Sequence, residues 1–238
     1  MKCKAGFEVR EDCGVPGHLK FSEQGASCRL RFLKRRLRTQ NGTMLIIAKP
    51  SLELLEDRLV PSNLLVNGDF EGGNAGFTTQ YTYSHGDIGP AASYDIVDNP
   101  AHSRPHDINP VSYGDHTTGS GLMMAVNGAT TPNMLVWGET VAVEANSTFQ
   151  FSAYISSWFA GAPAQLDVLF NGTSVGTMTA PSATGVWVPF SVSWNFGSAT
   201  SAAIEIRNLS TADVGDDFAL DDISLNPPTT TTIGPGHE

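Results

Sequence analysis

GDDFALDDISL, residues Gly215 to Leu225, carries two pairs of apolar residues on opposite parities. Alternate side chains of an extended strand point to opposite faces, so Phe218 and Leu220 share one face while Ile223 and Leu225 share the other. The switch falls at Asp221-Asp222. A bulge at that pair lets all four apolar residues reach one core and turns one or both carboxylates toward the sheet rim. A second acidic strand end, NGDFE at Asn67 to Glu71, lies at the other end of the same globular region, and the two are expected to meet. The expectation is a closed β-sandwich with a cation clamped where its first and last strands lie together.

Outward from this stretch the β pattern repeats. Ala202, Ile204 and Ile206 alternate just before it, and Val186, Val188, Phe190, Val192, Trp194 and Phe196 form the longest alternating run in the chain. Leu166, Val168 and Phe170 lead into Asn171-Gly172, a two-residue hairpin signal, followed by a strand over Thr173 to Met178. In Thr148 to Trp158, Phe149, Phe151, Ala153 and Ile155 take one side and Gln150, Ser152, Tyr154 and Ser156 the other. Leu135 to Val143 and Leu122 to Asn127 add further strands, and Leu64 to Phe70 reads as the first. Residues 77 to 121 hold Gly, Pro, Asn, Asp and His with little alternation, which suits short strands among long loops. About nine or ten strands at regular spacing predict two packed antiparallel sheets, an all-β jelly-roll sandwich over residues 63–226.

Charge separates this region from what precedes it. Residues 1–49 carry 11 Lys and Arg against 4 Asp and Glu, and residues 50–238 carry 3 against 20. No lysine follows Lys49, so the globular part lacks the cationic surface that tracks phosphates, and nucleic acid is excluded as a partner. The basic leader, residues 1–49 with RLRFLKRRLRTQ at Arg29 to Gln40, reads as mostly disordered, and Met44 offers an alternative start. All three cysteines, Cys3, Cys13 and Cys28, lie in it, so the sandwich has no internal disulfide. No apolar run reaches the roughly 18 residues of a membrane-spanning helix. The Pro- and Thr-rich tail at 227–238 reads as a linker.

Several carboxylates near one point repel unless they are protonated or bind a cation, and calcium takes six to eight oxygens, loop carbonyls included. Glu71 and Asp221 lead as ligands of a structural calcium, with Asp69, Asp217 and Asp115 beside them. Solvated rim acids are the alternative. His85, Asp87, His102, His106, Asp107, Asp115 and His116 crowd the loop region, but Pro105 argues against a helix presenting His102 and His106 together. GxSxG and HExxH motifs are both absent, and a noncatalytic role is expected. Aromatic rings on a sandwich bury a pyranose face while polar loop groups take its hydroxyls. Trp194 sits on the apolar parity of its strand and belongs to the core. Trp187 lies on the opposite parity and Trp158 ends a strand, so these two, with Tyr113, are the candidate ligand-binding residues.

LELLEDRLVPS, Leu52 to Ser62, resembles the LEDR-x-VP motif near the starts of planctomycete surface proteins, and residues 50–62 then imply sorting to the cell surface. The pieces NLLVNGDFEGGNAGFTTQYTY, GDHTTGSGLMMAVNGA, VWGETVAVEANSTFQFSAYISSW and DDFALDDISL, in that order, resemble bacterial extracellular modules of the galactose-binding-like, carbohydrate-binding type. The resemblance implies a β-sandwich, often with calcium near the chain ends, and a binding or adhesive role at the cell surface. A monomeric, calcium-stabilised, extracellular module for a glycan or surface polymer is the reading. A structural spacer is its alternative, and a glycan-active hydrolase with two facing carboxylates is third.

Overall fold

The computed structural model describes residues 31–36, 46–51, 63–104, 111–212 and 214–227. The chain forms two units, Met1–Leu59 and Val60–Glu238. In the first, β1 (Arg31–Arg36) and β2 (Ile46–Ser51) pair antiparallel, with Arg31 opposite Ser51 and Arg36 opposite Ile46. The rest of the leader, the motif of residues 52–62 and all but the first residue of the tail lie outside the described residues.

The second unit is the expected all-β sandwich. β3 (Thr82–Tyr83), β4 (Ser93–Val97), β5 (Met123–Asn127), β7 (Thr148–Ser157), β10 (Trp187–Asn195) and β12 (Phe218–Asn226) make one sheet, ordered β10-β7-β12-β5-β4-β3. β6 (Leu135–Ala142), β8 (Gln165–Phe170), β9 (Thr173–Thr179) and β11 (Ser201–Asn208) make the other, ordered β6-β11-β8-β9. Pairing is antiparallel except between β3 and β4. Among the described residues no helix is long and apolar enough to cross a membrane.

The alternation sorts side chains as the period of two requires. Phe149, Phe151, Ala153 and Ile155 of β7 and Leu166, Val168 and Phe170 of β8 are buried in one cluster with Ile204 and Ile206 of β11. Rings interlock edge-on across it, Phe151 with Phe170 at 5.5 Å between centroids and Phe170 with Trp194 at 6.0 Å. Asn171 and Gly172 join β8 to β9 with φ of 48° and 78°, the left-handed pair that a two-residue hairpin matching the strand twist needs.

β12 bears out the parity argument. Its register against β7 shifts between Asp221, opposite Tyr154, and Ser224, opposite Ser152. Asp222 takes φ 49° there, and Phe218, Leu220, Ile223 and Leu225 all enter the same core. The bulge also changes the partner on the other edge of β12. β5 pairs with it only over Phe218 to Leu220, and beyond the bulge the start of the domain takes over. Leu64 N–H donates to Leu225 O at 2.9 Å and Ile223 N–H to Gly68 O at 2.8 Å. The Asn63 side chain donates to Ile223 O and accepts from Leu225 N–H, both at 2.9 Å.

The two acidic stretches therefore meet, but Leu64 to Phe70 is not a regular strand. Asn67 and Phe70 both take φ 57°, and the Asn67 amide accepts from Gly72 N–H and donates to Gly73 O and Ala75 O. A short polar side chain bonding its own turn breaks the strand that the apolar alternation suggests. Asp69 and Glu71 consequently do not share a strand face.

Candidate functional site

Glu71 and Asp115 converge on Gly121. Glu71 accepts from Leu122 N–H at 2.7 Å, and Asp115 accepts from Gly121 N–H at 2.7 Å and Thr118 N–H at 2.8 Å. Burial opposes the charged form of Asp115, but these bonds outweigh it and hold its carboxyl below the ordinary value. Gly121 fits because it has no side chain: a Cβ there would sit 2.1 Å from Glu71 Oε1 and 3.1 Å from Asp115 Oδ2.

Asp221 lies beside this pair, wholly buried. Its carboxylate accepts from His116 N–H and Asp222 N–H, both at 2.8 Å. Burial drives its pKa from 3.8 up to about 7; those two bonds hold it back, and the charges of Asp222 and Asp115 add to the rise. His116 Nδ1 meets Asp222 Oδ2 at 2.6 Å, and the His116 ring stacks on Tyr154 with centroids 3.4 Å apart. The strand bulge thus turns Asp221 and Asp222 to the rim, where the loop of residues 113–122 caps both.

Of the five acids expected to share one cation, three gather: Glu71, Asp115 and Asp221. Asp69 is exposed and Asp217 accepts from Gly128 N–H at 3.2 Å, before the bulge on β12, so the expected five-acid set is not assembled. Among the described residues no three His, Cys, Asp or Glu side chains converge tightly enough to hold a metal by themselves. The histidines do not converge either. His85 pairs with Asp95, His102 with Asp98 and His116 with Asp222, each separately, and His106 and Asp107 lie outside the described residues.

The three aromatic candidates lie around one small cluster, and one of them, Trp158, belongs to its core. Trp158 is buried, with Nε1 donating to Phe218 O at 2.8 Å and Val126 O at 3.0 Å, and the Arg104 guanidinium lies 5.3 Å over its ring. It fills a second small core on the outer face of the six-stranded sheet with Ile88, Val97, Met123, Ala125 and Ala219. Strand parity cannot report that a loop folds back over that face, so Trp158 is corrected from ligand face to core. Tyr113 and Trp187 pack at the edge of the same cluster, rings edge-on at 5.9 Å. Burial pushes the Tyr113 phenol far up, and its hydroxyl has no well-formed hydrogen bond. Trp187, half-buried, donates Nε1–H to Gly114 O at 3.2 Å and meets His116 edge-on at 6.0 Å.

Next to this row a pocket of about 420 Å3 opens between the 63–69 segment and the outer face of β7 and β12. Asn67, Asp69, Ser152, Tyr154, Asp222 and Ser224 line it. Ser152 and Ser224 hydroxyls bond each other at 2.8 Å beside it, and among the described residues Asp69 is tied only by a 3.4 Å bond from Glu71 N–H. Sequence reasoning missed Tyr154 because its parity marked it merely as solvent-facing, and missed the pocket because its two walls are 80 or more residues apart in the chain.

No family model matches the chain, and no curated protein matches its sequence. Solved structures with a similar fold include the xylan-binding CBM22-1 domain of Paenibacillus barcinonensis Xyn10C, 15% identical with a TM-score of 0.41 over 67% of this chain and 90% of that one. A family 16 carbohydrate-binding module is 19% identical, TM-score 0.41, over 68% and 99% of the two chains. A cyclase from Fischerella sp. TAU is 10% identical, TM-score 0.47, over 71% and 98%. Their roles diverge, so the ligand has to be read from this chain's own residues.

Proposed function

We propose that the sandwich is a noncatalytic extracellular module that binds a neutral glycan in the pocket beside Tyr154. The observation that carries this reading is the pocket itself: a ring-sized recess with Tyr154 as an aromatic wall, paired serine hydroxyls beside it and an almost unengaged carboxylate, Asp69, at its mouth. Sugars need that combination, an apolar face for their C–H groups and polar groups for their hydroxyls. Asp69 and Asp222 both line the pocket, and 20 acidic residues face 3 arginines across residues 50–238, so uronates and sulfated glycans are repelled.

The test is a glycan-array screen of the full chain, with affinities for any hit repeated in Asp69→Ala. Binding of neutral glycans that weakens about tenfold in this variant is expected, the loss of one hydrogen bond to a charged group. Failure of every neutral glycan to bind would leave the domain as a structural spacer.

In the same reading, Glu71, Asp115 and Asp221 hold a structural calcium together with loop carbonyls. The raised pKa of Asp221 supports it: burial chiefly, with the charges of Asp222 and Asp115 adding to it, makes a lone carboxylate costly there, and a bound cation offsets that cost. Calcium at a hundredfold excess over its dissociation constant then stabilises the fold by about 2.7 kcal/mol. Melting curves in calcium and in EDTA read this directly, and coincident curves would remove the metal.

A further inference from the structure

Tyr83 is the only aromatic among the large apolar side chains exposed in the described residues, at 43%. It stands at the edge of the six-stranded sheet, away from the pocket, on the two-residue strand β3. The imidazole of His85 lies nearly parallel to it, 23° between planes and 6.4 Å between centroids, with its side chain 75% exposed. The rings stack on each other, and the pair presents its outer face and edges to solvent.

The surface is built to hold its shape. Tyr94, paired in register with Tyr83 and itself buried, supports the Tyr83 ring at 5.4 Å, and its own hydroxyl donates to Asn74 at 2.7 Å. Asp95, fully buried, receives His85 Nδ1 at 3.2 Å, Gly86 N–H at 2.8 Å and the Ser103 hydroxyl at 2.7 Å. Ser84 N–H donates to Tyr94 O and Ile88 N–H to Ser103 O, both at 2.9 Å, which pins the loop on either side of His85. The Tyr83 phenol stays protonated: partial burial and then the Asp95 charge raise its pKa. A hydrogen bond to the Asp95 carboxylate adds to the rise, so the hydroxyl is engaged and Tyr83 offers its ring face.

We infer that Tyr83 and His85 form a second, independent stacking platform for a neutral sugar ring. An isolated ring pair is too small for a protein partner, whose interface needs several hundred square ångströms of contiguous surface. It matches one face of a pyranose, with the polar loop at its rim. Rings already fixed by Asp95 bind without the cost of ordering them. The acidic surroundings bias it, like the pocket, toward uncharged sugars.

The experiment follows the aromatic side-chain resonances of the full chain by NMR while neutral hexasaccharides of glucose, xylose, mannose and galactose are titrated in turn to millimolar concentration. At least one is expected to shift Tyr83 and His85 together. Tyr83→Ala should weaken that sugar about tenfold, while Tyr83→Phe, which keeps the ring, should keep most of the affinity. Shifts at Tyr83 and His85 with Tyr154 unmoved would support this platform and remove the pocket reading. Shifts at Tyr154 alone, or no shift at Tyr83 and His85 with any of the four sugars, would overturn the platform.

Discussion

Gly68→Ala is expected to lower the stability of the sandwich by about 3 to 5 kcal/mol, in the upper tail of single substitutions that overpacking and a broken buried hydrogen-bond network reach. A Cβ at residue 68 would lie 1.9 Å from Ile223 O and 2.9 Å from its carbonyl carbon, and neither is the free end of a side chain. The backbone must separate. The 63–68 segment then loses its bonds to Ile223 and Leu225, leaving the buried Ile223 N–H without its acceptor, Gly68 O. For a domain of this size the melting temperature falls by about 10 °C. Gly73→Ala is the control, since φ of 73° makes it conformationally strained while nothing lies within 4 Å of its Cβ. It should cost only about 1 to 2 kcal/mol. Equal losses in the two variants would mean that strain, and not the join between the ends of the domain, sets the effect.

Asp221 gives the largest expected dependence on pH. Its pKa rises on folding from 3.8 to about 7, chiefly through burial, so the folded chain keeps a proton that the unfolded chain has released. The stabilisation from this group is fully present below about pH 4 and is lost as the pH climbs through 7. In EDTA, the difference in stability between the natural chain and Asp221→Asn should therefore move by about 3 kcal/mol in favour of the natural chain between pH 8 and pH 5. The asparagine adds a penalty at every pH, because its NH2 replaces one acceptor oxygen and leaves either His116 N–H or Asp222 N–H facing a donor, so the slope is what counts. Chemical denaturation across that interval measures it. Parallel curves would show that Asp221 titrates normally. Asp115 pulls the other way only at more acid pH, where protonation costs it the bonds that keep its pKa low.

What the sequence made legible depended on whether a residue's neighbours in space were also its neighbours along a strand. The bulge at Asp221-Asp222 was visible because an apolar face that changes parity has one economical remedy. The hairpin at Asn171-Gly172 was visible because only such residues take two left-handed φ values in succession. β4 was hidden in the loop region because Ser93 to Val97 is buried throughout, and a strand covered on both faces has no alternation to read. The Leu64 to Phe70 segment misled for the opposite reason: its apolar spacing is that of a strand, but Asn67 spends its side chain on a turn. At the candidate site, Glu71, Asp115 and Asp221 could be picked out as acids wanting a partner. The pairing of His116 with Asp222, 106 residues apart, and the covering of Trp158 by the loop that carries Arg104, lay beyond any local pattern.

The join between Asn63–Gly68 and Ile223–Leu225 also sets how the module meets mechanical load. Its two strands of hydrogen bonds run antiparallel, Leu64 with Leu225 and Gly68 with Ile223, so the domain's entry and exit emerge side by side. A chain passing through it gains almost no contour length from the folded module, which hangs from the main line as a pendant. Tension applied at both ends reaches the Asn63 side-chain bonds and the Leu64 to Leu225 bond first and opens the join in the manner of a zip, one bond after another, without loading the two sheets in shear.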